Sequence, residues 1–534
     1  MSLLPSLKNS LGLARSALQA GDLSRAAAIS AEAVSRGLEH PDFLVCMAHQ
    51  ELNAGAPQRA LALAERAREL APRHVDALNV SGLCLIRLGR SVEALKMFDS
   101  ALRQTPAAAQ LHFGKGMALE ATSKVGRALS SYERAIALEP RHVAALARLA
   151  NLTLQQGNVA AARDYARRAL ALDPKDPAAR LALVGSDVET REFQAALNGA
   201  MSLLRDAGVS PVNRAIAQSL AGDALDGLDR TTEAFGAYVA AGQMLKALYP
   251  EPAGETAFQR VQRLTSFLRR TEPNVWLEEE ASSPVPVHAF LVGFPRSGTT
   301  LLEQVLGAHQ DIEVMDERDC LIDSHEFVVS PDGLEKFLAL KGDALKPFRE
   351  AYWKRVGEAD LAPSKTVFLD KMPLNSIHLC LIARLFPTAR IIFALRDPRD
   401  VVLSCFRRRF AFTEHMMELL SLSGAAAYYD AVMTLCEVYR EKLPLVLQET
   451  RYEDLVSDFT AETKRLCTLL SIPHDSAMAD FAQRAQAVDT PSALQIARGL
   501  YSVGAGQWRR YEVRMAPVLP LLQPWAARFG YDRD

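Results

Sequence analysis

From about residue 7 to residue 210 the small apolar positions return every 34 residues. Ala26, Ala60, Ala94, Ala128, Ala162 and Ala196 form one series, and Ala33, Ala67, Ala101, Ala135 and Ala169 form a second. Pro72, Pro106, Pro140 and Pro174 keep the same step, as do Gly21, Gly55, Gly89 and Gly157, with Ser123 at the missing glycine position. Four interleaved series in one register predict tandem helical hairpins. The glycine turns the chain between two helices, because it accepts positive φ freely. The two alanines, seven apart, share a face of the second helix and let the first approach closely. The proline then closes the second helix. Five repeats are clear; a sixth (177–210) carries Arg191 at the glycine position, and a further hairpin around Asp229, Ala234 and Ala241 slips the register by four.

Beyond the repeats the pattern changes. Thr256–Arg270 is helix-like, and TEPNVWLEEEASSPVPV combines a charge cluster, prolines and a serine pair, as linkers do. The run HAFLVGF after it reads as a buried strand. The expected organisation is therefore 1–250 repeat array, 251–284 helical linker and 285–534 second domain, with 280–534 able to fold alone.

Two segments of the second domain carry anion-binding chemistry. In GFPRSGTTLLEQVLGAH, Gly293 and Gly298 bracket four residues, and Leu301, Leu302, Val305 and Leu306 follow at helical spacing. Strand, glycine-bracketed loop and helix aim backbone N–H groups and a helix N-terminus at a phosphate. A nucleoside-triphosphatase loop would place lysine where Thr299 stands; here the cation is Arg296, two residues before Gly298. The second segment, RIIFALRDPRDVVLSCF, is a β-rich strand over 390–395, then a turn that starts a helix. Arg396 at the strand end and Ser404 on the helix can converge on one anion, a guanidinium gripping phosphate oxygens in bidentate fashion.

These motifs carry resemblances to known families. Blocks such as SVEALKMFDSALRQTP resemble the tetratricopeptide repeat, which implies an all-α solenoid whose groove binds a protein or peptide. The alternative is a structural array that packs on the enzyme or joins two copies as a homodimer. PRSGTTLL resembles the 5′-phosphosulfate loop of sulfotransferases, and the resemblance spans about 288–534. It implies a P-loop-like α/β domain with a parallel sheet, and 3′-phosphoadenosine 5′-phosphosulfate (PAPS) as co-substrate with no metal required. The resemblance assigns the loop Pro295, Arg296, Ser297, Gly298, Thr299 and Thr300 to the 5′-phosphosulfate. Arg396 and Ser404 fall to the 3′-phosphate, and Arg408 matches a basic contact of the tyrosylprotein branch. Tyr452 is expected near the adenine side, with Ser492 and Tyr501 as further nucleotide contacts. Gln507 departs from the family, which has a basic residue there; Arg509 or Arg510 could substitute.

Sulfuryl transfer needs an in-line hydroxyl, a base for its proton and positive charge on the leaving oxygen. Glu317, 21 residues after Arg296, matches the glutamate base of the tyrosylprotein sulfotransferases. The cytosolic branch uses histidine, so His309, His378 and His415 are rivals, His309 reading as structural. Lys371, in FLDKMPLN, resembles a lysine aimed at the leaving oxygen or sulfuryl group, with Asn375 beside it; outside that frame a lone Asp-Lys pair is usually a surface ion pair.

Composition narrows the setting. A net charge of −2 argues against a general nucleic-acid or anionic-membrane binder. Seven scattered cysteines without a CxxC pair fit reduced thiols in a cytosol. The N-terminus lacks the flank and apolar run of a signal peptide, and no stretch of 18 apolar residues occurs. The expectation is a cytoplasmic sulfotransferase acting on a hydroxyl, a protein tyrosine or a glycan among the candidates. Its rivals are a P-loop nucleotide kinase or triphosphatase and a catalytically inactive repeat scaffold.

Overall fold

The computed structural model describes residues 3–122, 124–249, 254–272, 283–330, 332–358, 361–408, 413–481 and 505–531. By packing, the chain forms two compact units, Met1–Leu154 with Asn158–Ser186, and Gln155–Gly157 with Asp187–Asp534.

The first unit is a run of helix pairs such as Val75–Arg87 with Ser91–Gln104. Along the repeats Gly21, Gly55 and Gly89 of this unit, and Gly157 of the short segment assigned to the second, all take positive φ, between 75° and 85°, at the turns. The periodic alanines of this unit are buried, as close helix approach requires. Second helices end at Leu70, Gln104, Leu138 and Leu172, each two residues before its proline. Phe98 explains two glycines outside the turns. A Cβ at Gly82 or Gly114 would come within 2.6 or 2.4 Å of its ring, so the ring packs directly on two helix backbones.

The second unit opens with the helices Phe193–Arg205, Pro211–Gly227, Thr231–Leu248 and Ala257–Arg270. A five-stranded sheet follows, with β1 (Val287–Gly293), β2 (Ile312–Asp316), β3 (Val367–Lys371), β4 (Arg390–Leu395) and β5 (Val446–Arg451). The order is β2-β3-β1-β4-β5 and every pairing is parallel. The three inner strands are almost wholly buried, as a parallel sheet covered on both faces demands, and they are mostly apolar, with Asp370 and Lys371 at the end of β3. In such sheets ligands bind at the carboxyl ends of the strands, where the chain direction switches. Here that point lies between β1 and β4, where Gly293 pairs with Ala394.

The packing division falls at 186/187, upstream of the expected boundary at 250, and the reason is visible in the hairpin Pro211–Leu248. Asp226 accepts hydrogen bonds from Tyr511 Oη and Arg510 Nη1, both 2.7 Å, and pairs with Arg407. The Arg407 guanidinium lies 5.2 Å from the Tyr238 ring and 5.3 Å from that of Tyr511. Helix Ala257–Arg270 continues the contact: Arg260 pairs with Glu414, and Lys442 Nζ donates to Thr271 O at 3.0 Å. A largely buried carboxylate needs its cations, and those of Asp226 stand in the part of the chain that carries the sheet. Residues 273–282 of the expected linker lie outside the described residues.

Candidate active site

The loop after β1 is held by its carbonyls. Ser376 Oγ donates to Gly293 O at 3.0 Å, Ser297 Oγ to Phe294 O at 2.6 Å, Cys405 Sγ to Pro295 O at 3.2 Å, and Arg396 Nη1 to Arg296 O at 3.2 Å. Four successive carbonyls are thus engaged by side-chain donors. Helix Thr299–Gly307 starts directly from Gly298, and its first-turn N–H groups open toward the loop. Gly298 has φ of 97°, and a Cβ there would meet the Tyr452 ring at 3.0 Å, so this position needs glycine. Arg296 holds φ of 72°, an unusual backbone state for a residue with a side chain.

The loop after β4 closes on the same crevice. Arg296 Nε donates to Ser404 Oγ at 3.1 Å, joining two residues 108 apart in sequence. The Arg396 guanidinium sits 5.2 Å from the centroid of the Tyr452 ring. Burial, with repulsion from Arg408 and Arg396, depresses Arg296 to about 9, and Cys405 and Glu317 offset this only in part. Arg296 and Arg396 therefore share one crevice, with Arg408 near enough to repel Arg296 while lining an adjacent pocket with Tyr238 and Phe406, and this charge favours an anion.

The remaining residues of RDPRD serve the fold. Arg399 pairs with Asp397, stacks 4.2 Å from the Trp508 ring and donates to Tyr531 O. Asp400 accepts from Gly506 N at 2.6 Å and Trp508 N at 2.8 Å, and burial pushes its carboxyl up to about 6. Asp397, Arg399 and Asp400 thereby hold the C-terminal segment against the second anion loop. Arg510, one of two residues expected to replace the missing cation at Gln507, is committed to Asp226 and Asp229 instead. Arg509 stacks on Trp508 at 5.4 Å. Ser492 and Tyr501 lie outside the described residues.

The expected catalytic pair meets at the ends of β2 and β3. Glu317 N donates to Lys371 O at 2.9 Å, and Lys371 Nζ donates to Glu317 Oε1 at 2.9 Å. Strand alternation sends Asp370 to the opposite face, where its carboxylate accepts from Tyr352 Oη at 2.8 Å. The adjacent Asp-Lys pair is therefore buried on both sides and is no surface ion pair. Lys371 is enclosed by more carboxylate than the motif announced: Glu303 Oε2 lies 2.8 Å from its Nζ, and Asp316 also pairs with it. Burial would lower the lysine, but Glu303, Glu317 and Asp316 together hold it above its ordinary range. Glu303 belongs to no motif, yet it is buried in the helix Thr299–Gly307. One signal was available, a glutamate two positions before Val305 on the apolar side of that helix.

The histidines divide differently. His309 is buried, with Nε2 2.8 Å from Pro473 O and Nδ1 accepting from Asp311 N, a structural bracket. His415 Nδ1 lies 2.6 Å from Tyr428 Oη, and His378 packs against His325 with ring centroids 4.6 Å apart and the planes tilted by 43°. Burial depresses the pKa of both His378 and His415.

In open α/β sheets a crevice at such a switch point is where ligands bind, and the arginines here give it a positive lining. Residues 288–476 match the family model described as the sulfotransferase family, and residues 47–109 and 113–177 match the tetratricopeptide repeat. The chain thus carries a sulfotransferase-family domain after tetratricopeptide repeats. It is 27% identical over 246 residues to an uncharacterized protein of Aquifex aeolicus, covering 44% of this chain and 32% of that one. It is 25% identical over 213 residues to protein-tyrosine sulfotransferase A of Caenorhabditis elegans, covering 35% and 50%. The chain therefore spans a third to a half of the length of these curated relatives. A tetratricopeptide-repeat protein of Thermus thermophilus aligns over 34% of this chain and 98% of its own, at 24% identity and a TM-score of 0.30. Among the described residues no helix is long and apolar enough to cross a membrane.

Proposed function

We propose that the protein transfers the sulfuryl group of PAPS to a hydroxyl acceptor. The observation that carries this reading is the convergence of Arg396 and Ser404 on the loop that bears Arg296 and whose carbonyls are tied back. The loop Pro295–Thr300 would take the 5′-phosphosulfate. Arg396, Ser404 and Arg408 would take the 3′-phosphate, and Tyr452 would flank them. Glu317 serves as the base that receives the hydroxyl proton, while Arg296 and Lys371 stabilise negative charge growing on the leaving phosphate oxygen. In the resting site Glu317 is bonded to Lys371, so an acceptor hydroxyl competes with the lysine for that carboxylate.

The acceptor belongs to the same proposal. A relative named a protein-tyrosine sulfotransferase favours a protein tyrosine, and a repeat array suited to a peptide or protein ligand favours a macromolecule. The seven cysteines are free and buried, suiting work in the reducing cytoplasm. The test is incubation of the full chain with PAPS labelled in the sulfuryl group and a whole lysate. Label entering protein, glycan or lipid identifies the acceptor class; no transfer beyond a heat-killed control contradicts the reading.

A further inference from the structure

Lys371 Nζ is fully buried and meets three carboxylates, those of Glu303, Asp316 and Glu317. One ammonium against three carboxylates leaves two surplus negative charges when all are ionised. The same lysine, if the donor reading above is right, must face a ligand that is itself polyanionic. Like charges in one site of low dielectric cannot all persist, and the usual outcome is that one carboxylate holds a proton.

The three carboxylates are not equivalent. The side chain of Glu303 is 6% exposed, against 33% for Asp316 and 44% for Glu317. Glu303 sits on the loop helix, whose first turn is the expected phosphate site, and Gln304 Nε2 donates to its Oε1 at 3.2 Å. The charged groups acting on it are Lys371 on β3, and Asp316 and Glu317 at the end of β2. Burial raises its carboxyl above the ordinary range against the pull of Lys371, and Asp316 and Glu317 add to the rise.

We propose that Glu303 is a positioning residue for Lys371 and the group that takes up a proton when the anionic donor binds. Ionised, it holds the lysine back in the carboxylate cage. Protonated, it loosens that hold, removes one of the surplus charges and leaves Lys371 Nζ directed at the donor. The inference rests on the proposed donor but concerns this chain's own carboxylate.

The test is calorimetry of the full chain with 3′-phosphoadenosine 5′-phosphate. Two buffers of different ionisation enthalpy, at about pH 8, give the number of protons taken up. The expected result is uptake approaching about one proton per nucleotide, with affinity falling by up to about tenfold per pH unit above neutrality. In Glu303→Gln the uptake disappears, the pH dependence flattens and binding at about pH 8 is tighter than in the parent. Asp316→Asn keeps the uptake. A parent protein that binds the nucleotide without taking up a proton overturns the proposal, whatever the variants do. So does a folded Glu303→Gln protein that still takes one up. If the nucleotide does not bind at any pH, the donor reading itself has failed, and this inference falls with it.

Discussion

Arg396 does two things at the end of β4: it holds the carbonyl of Arg296 and places its guanidinium beside the Tyr452 ring. Its loss should therefore weaken nucleotide binding by about 1.5–3 kcal/mol, the size of a charge-assisted contact. Titration calorimetry of Arg396→Ala against the parent checks this, and an unchanged affinity would remove Arg396 from the donor site. Glu317→Gln keeps the contact with Lys371 but not the basicity, so kcat should fall by roughly 10²–10⁴ while donor affinity stays nearly constant. Glu317→Asp should recover little, because a shortened side chain misplaces the carboxylate. His309→Asn should behave in the opposite way, losing about 1 kcal/mol of stability in a thermal melt while turnover per folded molecule holds. Turnover lost in His309→Asn or His415→Asn but kept in Glu317→Gln would transfer the base to histidine. At this scale the sequence was only partly legible. Arg296, Lys371 and Glu317 stood in recognisable motifs, and the structure brings the latter two within a hydrogen bond. Glu303 and Asp316 belong to the same cage because a helix and two strand ends converge, and the lone glutamate before Val305 does not by itself say which cation it meets.

The repeat helices were legible because every copy meets the same surroundings, so one register of glycine, alanine and proline serves them all. Arg191 shows what happens when the register fails. It stands where earlier repeats place glycine and still adopts φ of 62°, a conformation that costs a residue with a Cβ. Arg191→Gly should raise the unfolding free energy by about 0.5–1 kcal/mol, read from denaturant midpoints at constant slope. A loss of stability would mean that the arginine side chain contributes more than its backbone costs. The anion loop was equally legible as an element, from its strand, bracketing glycines and helix. Its orientation was not, since the donors that tie its carbonyls come from Ser376, Cys405 and Arg396, well outside the motif.

At the scale of the whole molecule the compact units divide at 186/187, whereas composition places a boundary at 250. Composition marked a linker before 285, but the hairpin Pro211–Leu248 and helix Ala257–Arg270 pack with the sheet domain in one compact unit. Asp226 carries no motif, and its partners lie 181 to 285 residues away. A chain of residues 187–534 should fold and bind nucleotide. One of residues 280–534 should be insoluble or lose cooperative unfolding, because it strips away Phe235 and Tyr238, which cover Phe406 and Tyr511, together with the carboxylate that pairs with Arg407. Parallel expression and melting of the two chains decide this; equal stability would return the boundary to the linker. The central claim, that the crevice between β1 and β4 is built for PAPS, is tested most directly by thermal unfolding of the full chain with each nucleotide. 3′-Phosphoadenosine 5′-phosphate without magnesium should raise the melting temperature, increasingly with concentration as ligand linkage requires. A shift with ATP–Mg²⁺ and none with 3′-phosphoadenosine 5′-phosphate would contradict it.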